Sequence, residues 1–133
     1  MADPMQVEVV SADQVVWSGK SINIIAKTVD GDIGILAGHS PVLAILVPGA
    51  VEVVTPEGIR EIVAVDGGFI SVSQERVSIL SEYARMADEI SLSAAEKELA
   101  EAQARLDAGE TDDDTRQHFQ RASAQVKAAQ RTR

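Results

Sequence analysis

The chain has 133 residues, enough for one ordinary core or a small core with an appendage. Hydrophobic residues make up 45% and aromatics only 3%, so the core must be aliphatic. There is no cysteine, which excludes disulfides, thiolate metal sites and cysteine nucleophiles, and a net charge of −9 argues against a nucleic-acid surface, which needs a basic patch.

No apolar run approaches the ~20 residues that span a bilayer, and residues 1–6 show no basic start and no long apolar core of a secretory leader. The expectation is a soluble chain that meets a membrane only through a partner. The charge is unevenly placed. Residues 1–86 hold 11 acids and 5 bases, residues 87–114 hold 10 acids and 2 bases, and residues 115–133 hold no acid and 5 bases. Block asymmetry of this kind marks an interaction segment or a contact between blocks.

The first 86 residues alternate short β-branched runs with turn signals. Strands are predicted at 6–10, 15–17, 21–28, 42–47, 50–55, 60–65, 69–73 and 76–80. Several alternate apolar and polar residues, as Val51 and Val53 do around Glu52, which puts one face on a core. Asp30-Gly31-Asp32, Pro48-Gly49, Pro56-Glu57-Gly58 and Asp66-Gly67-Gly68 supply the turns. Strands this short and this evenly spaced predict a mainly β sandwich over 1–86. Trp17 reads as a core aromatic. Between two predicted strands lies a glycine-rich stretch, 31–41, that reads equally as a buried strand flanked by loops or as a loop whose backbone comes close to a partner.

From residue 87 the texture is helical. Ser93 with Glu96 forms a capping box that places a helix start near Ser93. Leu92, Ala95, Leu99, Ala102 and Leu106 make one stripe, and Gly109 suits the helix end. The acidic turn 110–114 favours a second helix over about 115–130, with the stripe Phe119, Ala122, Val126 and Ala129. The two stripes predict a C-terminal antiparallel αα-hairpin over 87–133. Its seam is thin, with only five large apolar residues at roughly 1.5–3 kcal/mol each. These must offset ordering costs on the order of 1–2 kcal/mol per residue. Two readings follow: a hairpin packed permanently on the sandwich, or a marginal one that opens to a reach of roughly 50 Å at 1.5 Å per residue.

No catalytic constellation stands out, and no cofactor or metal is expected. His39 and His118 have no metal-helix spacing, and Asp112, Asp113 and Asp114 read as a helix start rather than a cation loop. Gly67-Gly68 reads as a bulge or tight turn, not a phosphate cradle.

The stretch Gly31-Asp32-Ile33-Gly34-Ile35-Leu36-Ala37-Gly38-His39-Ser40-Pro41-Val42-Leu43-Ala44 resembles the signature of the epsilon subunit family of bacterial F-type ATP synthases. Val9-Val10-Ser11-Ala12-Asp13 with Trp17-Ser18-Gly19, Asp66-Gly67-Gly68-Phe69 and Val77-Ser78-Ile79-Leu80 are similar to other strands of that family. The resemblance implies a non-catalytic rotor subunit with a sandwich and two helices, set against the gamma subunit and the c-ring at the cytoplasmic face of the bacterial plasma membrane. It implies that Asp32, Ile33, Gly34, Ile35, Leu36, Ala37, Gly38 and His39 face the c-ring and help couple its rotation to the stalk. It further implies that the hairpin either folds against the sandwich or extends along gamma into the catalytic head of alpha and beta subunits, the extended form inhibiting ATP hydrolysis in many members. Arg116, Arg121, Lys127, Arg131 and Arg133 would then meet an acidic segment of beta; otherwise they form a solvated face paired with the acidic first helix. Ala37 stands where the family usually has proline. An ATP-sensing module with a hairpin clamp is the alternative, but Ile90-Ser91-Leu92-Ser93-Ala94-Ala95 lacks the acid and arginine of the family's Ile-Asp-x-x-Arg-Ala pattern. No strong ATP binding is therefore expected.

Overall fold

A computed structural model describes residues 3–131. Ten strands precede two helices: β1 (Met5–Val10), β2 (Val15–Ser21), β3 (Asn23–Thr28), β4 (Gly31–Leu36), β5 (Val42–Leu46), β6 (Gly49–Val54), β7 (Arg60–Val65), β8 (Gly68–Ser73), β9 (Arg76–Leu80), β10 (Ala84–Met86), α1 (Leu92–Asp107) and α2 (Asp113–Arg131). A single 3-10 turn, Ala87–Glu89, joins the two parts. The strands run in the order β10-β7-β6-β3-β5-β8-β9-β1-β2, with β4 added alongside β3. The sheet curls on itself into a sandwich. All pairs are antiparallel except β1 with β9.

Alternation builds the interior. Val7 and Val9, Ile24 and Ala26, Val51 and Val53, Val63 and Val65, Ile70 and Val72, and Val77 and Ile79 all point into one aliphatic core. A second, smaller core lies on the outer face of β6–β7. Ala50, Ile62 and Ala64 there meet Ala87, Ile90, Ala124, Val126 and Ala128. Strands β6 and β7 are therefore buried on both faces, and α2 is the element that covers the outer one.

Several expectations change. The stretch Gly31–Leu36 is a strand along the whole of β3, mostly exposed rather than buried: Ile35 alone is fully buried in the core, and Ile33 packs against its edge. The single strand predicted over 21–28 breaks at Ile22, where β2 ends and β3 begins. The short β10, pairing Ala84–Met86 with β7, has no alternation long enough to betray it. Trp17 is half-buried at the rim of the core, because β2 is an edge strand paired only to β1. Its ring covers Gly19, where an added Cβ would lie 2.9 Å from the ring.

The cap of α1 is Ser91, not Ser93. Ser91 has extended backbone angles and its hydroxyl accepts from the Ala94 amide at 3.3 Å, whereas Ser93 already lies inside the helix. The stripe predicted for α1 faces α2, with Ala95 and Ala102 buried and Leu92, Leu99 and Leu106 half-buried. Helix α2 starts two residues earlier than predicted. The Asp112 carbonyl accepts its first bond from the Arg116 amide, and the Thr115 hydroxyl donates to the Asp112 carboxylate. Gly68 explains the double glycine at the β8 start. Its φ is +103°, and an added Cβ would fall 2.0 Å from the Leu80 carbonyl oxygen, so the turn is tight and leaves no cradle.

Candidate functional site

Three surfaces stand out. The first joins the hairpin to the sandwich. Asp66 directly follows β7, and its side chain is only 7% exposed. Its Oδ2 accepts from Arg121 Nε at 2.9 Å, and its Oδ1 accepts from the Tyr83 amide at 3.2 Å. The Ser81 hydroxyl lies 2.9 Å from the same Oδ1 and 2.8 Å from the Tyr83 carbonyl, and donates its one proton between them. Arg121 also sits over the Tyr83 ring, 5.4 Å from its centre, and Gln125 Nε2 donates to the Tyr83 hydroxyl at 2.6 Å. One turn away Gln117 Nε2 donates to Glu82 at 3.1 Å. Residues 117, 121 and 125 recur every four positions, so one polar stripe of α2 grips the loop between β9 and β10. The alanines at 124 and 128 lie beside it and let the helix approach the sheet closely.

This corrects the picture of α2 as a uniform basic face. Arg121 is committed to the sandwich. Arg116, Lys127 and Arg131 are exposed and form no side-chain bond with any described residue. Arg133 lies outside the described residues. The acids of α1 are not their partners. Between the helices the one described charged contact is His118 Nε2 to Glu98 at 3.6 Å, an ion pair only when the histidine is protonated. Arg105 instead pairs with Glu110 at 3.1 Å and closes the turn between the helices.

The second surface is β4 and the connection after it. Asp32, Gly34, Leu36 and Gly38 are exposed, Ile33, Ala37 and His39 are half-buried, and Ile35 is fully buried. The Ile35 side chain therefore supports the strand from beneath and offers nothing outward. Leu36 is 61% exposed, a large apolar side chain left in water. Gly38 takes φ +87°, and His39 folds back, its amide donating to the Leu36 carbonyl at 3.0 Å.

The third surface escaped the sequence reading. On the outer face of β5–β8–β9, Ile45 lies opposite Phe69, and Phe69 lies opposite Leu80. Leu43, Ile45, Phe69 and Leu80 are 46–70% exposed. A contiguous apolar band on so acidic a chain is a candidate protein-binding face. Its signal was present in Leu43-x-Ile45, whose alternation is apolar on both faces. Beside the band a groove of about 530 Å³ runs between β8–β9 and α2, lined in part by Phe69, Leu80, Glu82 and Gln117.

None of these surfaces carries the parts of a catalyst. Among the described residues no three metal-ligating side chains come together, and no helix is long and apolar enough to cross a membrane. The arrangement is that of a binding subunit: a sandwich with an apolar face, clasped by a helical hairpin. Residues 4–87 match the family described as "ATP synthase, Delta/Epsilon chain, beta-sandwich domain". The chain is 48% identical over 96 residues to the ATP synthase epsilon chain of Cutibacterium acnes, covering 71% of this chain and 66% of that one. It is 45% identical over 108 residues to the epsilon chain of Streptomyces avermitilis, covering 81% and 87% respectively. A structure of the Euglena gracilis mitochondrial ATP synthase (OSCP, F1 and c-ring) contains a chain of similar fold, with TM-score 0.76 and 24% identity, over 97% of this chain and 81% of that one. The chain belongs to the ATP synthase epsilon family, whose members are non-catalytic subunits of the complex.

Proposed function

We propose that the chain is the coupling and regulatory element of a bacterial ATP synthase rotor. In this reading the sandwich (1–86) is held between the gamma subunit and the c-ring, at the cytoplasmic face of the plasma membrane. The hairpin (87–133) docks on the sandwich or swings out toward the catalytic alpha and beta subunits. The observation that carries it is the band of Leu43, Ile45, Phe69 and Leu80, apolar and open on a chain of net charge −9. The exposed part of β4 and the connection after it, from Asp32 to His39, is the proposed c-ring contact, with Leu36 its most prominent apolar side chain. Arg116, Lys127 and Arg131 are proposed contacts for an acidic partner, together with Arg133; Arg121 joins them only after leaving Asp66.

The test is ATP hydrolysis by a reconstituted catalytic head with the full chain, with Phe69→Asp, and with a chain ending after residue 86. The full chain binds and suppresses hydrolysis, the shortened chain binds without suppressing, and Phe69→Asp fails to bind. Binding by Phe69→Asp at wild-type affinity removes the apolar band from the interface. Equal hydrolysis with full and shortened chains refutes the inhibitory hairpin.

A further inference from the structure

The last turns of α2 meet the sandwich beside the turn between β5 and β6, and the two surfaces enclose a recess of about 270 Å³. Lys27 of β3 lines one wall, Pro48 and Gly49 the floor, and Lys127 and Arg131 of α2 the other wall. An added Cβ on Gly49 would lie 4.0 Å from Lys127 Cδ, so the lysine stem crosses this glycine on its way to the rim. Among the described residues no acid lines the recess. None of the three cations forms a side-chain hydrogen bond or ion pair with a described residue. Asp32, opposite Lys27 in the β3–β4 ladder, makes no ion pair with it. Three cationic residues with no described counter-charge line one recess of a chain of net charge −9, an arrangement that favours an anion there.

We propose that this recess binds a small phosphate anion, inorganic phosphate or pyrophosphate, that ties α2 to the sandwich. The chemistry fits in three ways. The arginine offers a planar fork and the lysines compact point charges, the combination suited to phosphate oxygens. The recess is smaller than the ~300 Å³ at which pockets for drug-sized ligands begin. Among the described residues no aromatic side chain lines it to stack a base, so the proposed ligand carries no nucleoside. Because the cations come from both the sheet and the helix, the anion binds only the docked arrangement and stabilises it by mass action. At a hundred times its Kd it shifts the docking equilibrium about a hundredfold. This inference stands apart from the rotor assignment and is tested on the isolated full chain.

The experiment is calorimetric titration with pyrophosphate and with inorganic phosphate at fixed ionic strength, using chloride as the control. Saturable one-to-one binding is expected, weakened at least tenfold by Lys27→Gln and by Lys127→Gln and unchanged by Lys20→Gln on β2. Hydrogen exchange of α2 amides slows when pyrophosphate is added. Lys27 and Lys127 are both exposed, so circular dichroism of the variants should match the parent. Absence of saturable heat, or binding equally strong in both recess variants, overturns the proposal. So does capture by phosphatidylglycerol vesicles or by polyglutamate without any response to pyrophosphate, which would assign the cations to a lipid surface or an acidic protein segment.

Discussion

The polar clasp makes Arg121→Met the most informative substitution. The methionine keeps most of the aliphatic stem and removes the guanidinium. Asp66 is then left with the Ser81 hydroxyl and the Tyr83 amide as donors, in a site only 7% exposed. A hydrogen bond to a charged group contributes about 1.5–3 kcal/mol, and the cation over the Tyr83 ring adds about 0.5–1 kcal/mol. The larger cost of breaking a fully buried ion pair does not apply, because Arg121 is 35% exposed. Undocking of the hairpin should therefore become easier by about 2–4 kcal/mol, roughly 30- to 900-fold. Hydrogen exchange resolves where the loss falls. Amides of α2 should exchange faster by that factor, while those of β1 and β9, which α2 does not cover as it covers β6 and β7, keep their protection. Asp66→Asn removes the same charge pair, so the double variant should cost clearly less than the sum of the two single ones. Unchanged exchange in α2 refutes the clasp. Additive losses refute direct coupling of the two residues.

Other perturbations test the local readings. Gly68→Ala forces a Cβ against the Leu80 carbonyl at φ +103°. It should destabilise the sandwich by more than about 1 kcal/mol, read as a lower urea midpoint, and a wild-type midpoint would contradict the tight turn. Ser91→Ala should cost about 1 kcal/mol through loss of the helix cap, while Ser93→Ala costs little; the reverse ranking in thermal melts would restore the capping box. The Asp112 carboxyl lies below its ordinary range, first through the hydrogen bond from the Thr115 side chain, with desolvation opposing. Because its folded-state value is the lower one, its stabilising contribution is complete above the unfolded carboxylate value of ~3.9 and is lost as pH falls through the folded one. The start of α2 should fray over that acidic window. An NMR titration midpoint for Asp112 at or above ~3.9 would count against the cap.

The sandwich was legible because alternation is a strong signal where one face is buried and the other wet, as in Val7, Val9 and Ile70, Val72. It failed in two informative places. Residues 31–36 carry two glycines and rely on β3 for their pairing, so local preference hid the strand. Strand β7 is apolar on both faces, with Ile62-Val63-Ala64-Val65 a continuous run, and β6 opens the same way at Ala50-Val51 before Glu52, which is buried and paired with Arg60. That continuity announced a covering layer, yet the sequence does not say which segment provides it. For α2 the stripe at 119, 122, 126 and 129 was visible, whereas Ala124 and Ala128 passed as ordinary helix formers. Charge blocks suggested that α2 pairs with α1, but they carry no geometry. The basic residue that found a partner, Arg121, found it 55 positions away.

The alanines at the base of the hairpin bear on how it parts from the sheet. Across that seam Ala50, Ala64, Ala87, Ala124 and Ala128 meet mostly one another, with Ile62, Ile90 and Val126 as the larger contributors. A methyl group laid bare costs about 0.8 kcal/mol, against about 1.5–3 for a leucine. Parting the surfaces thus exposes small, shallow apolar faces that water tolerates and that invite little aggregation. The seam behaves like a low-tack adhesive: held in register by a few oriented polar bonds, and clean when peeled.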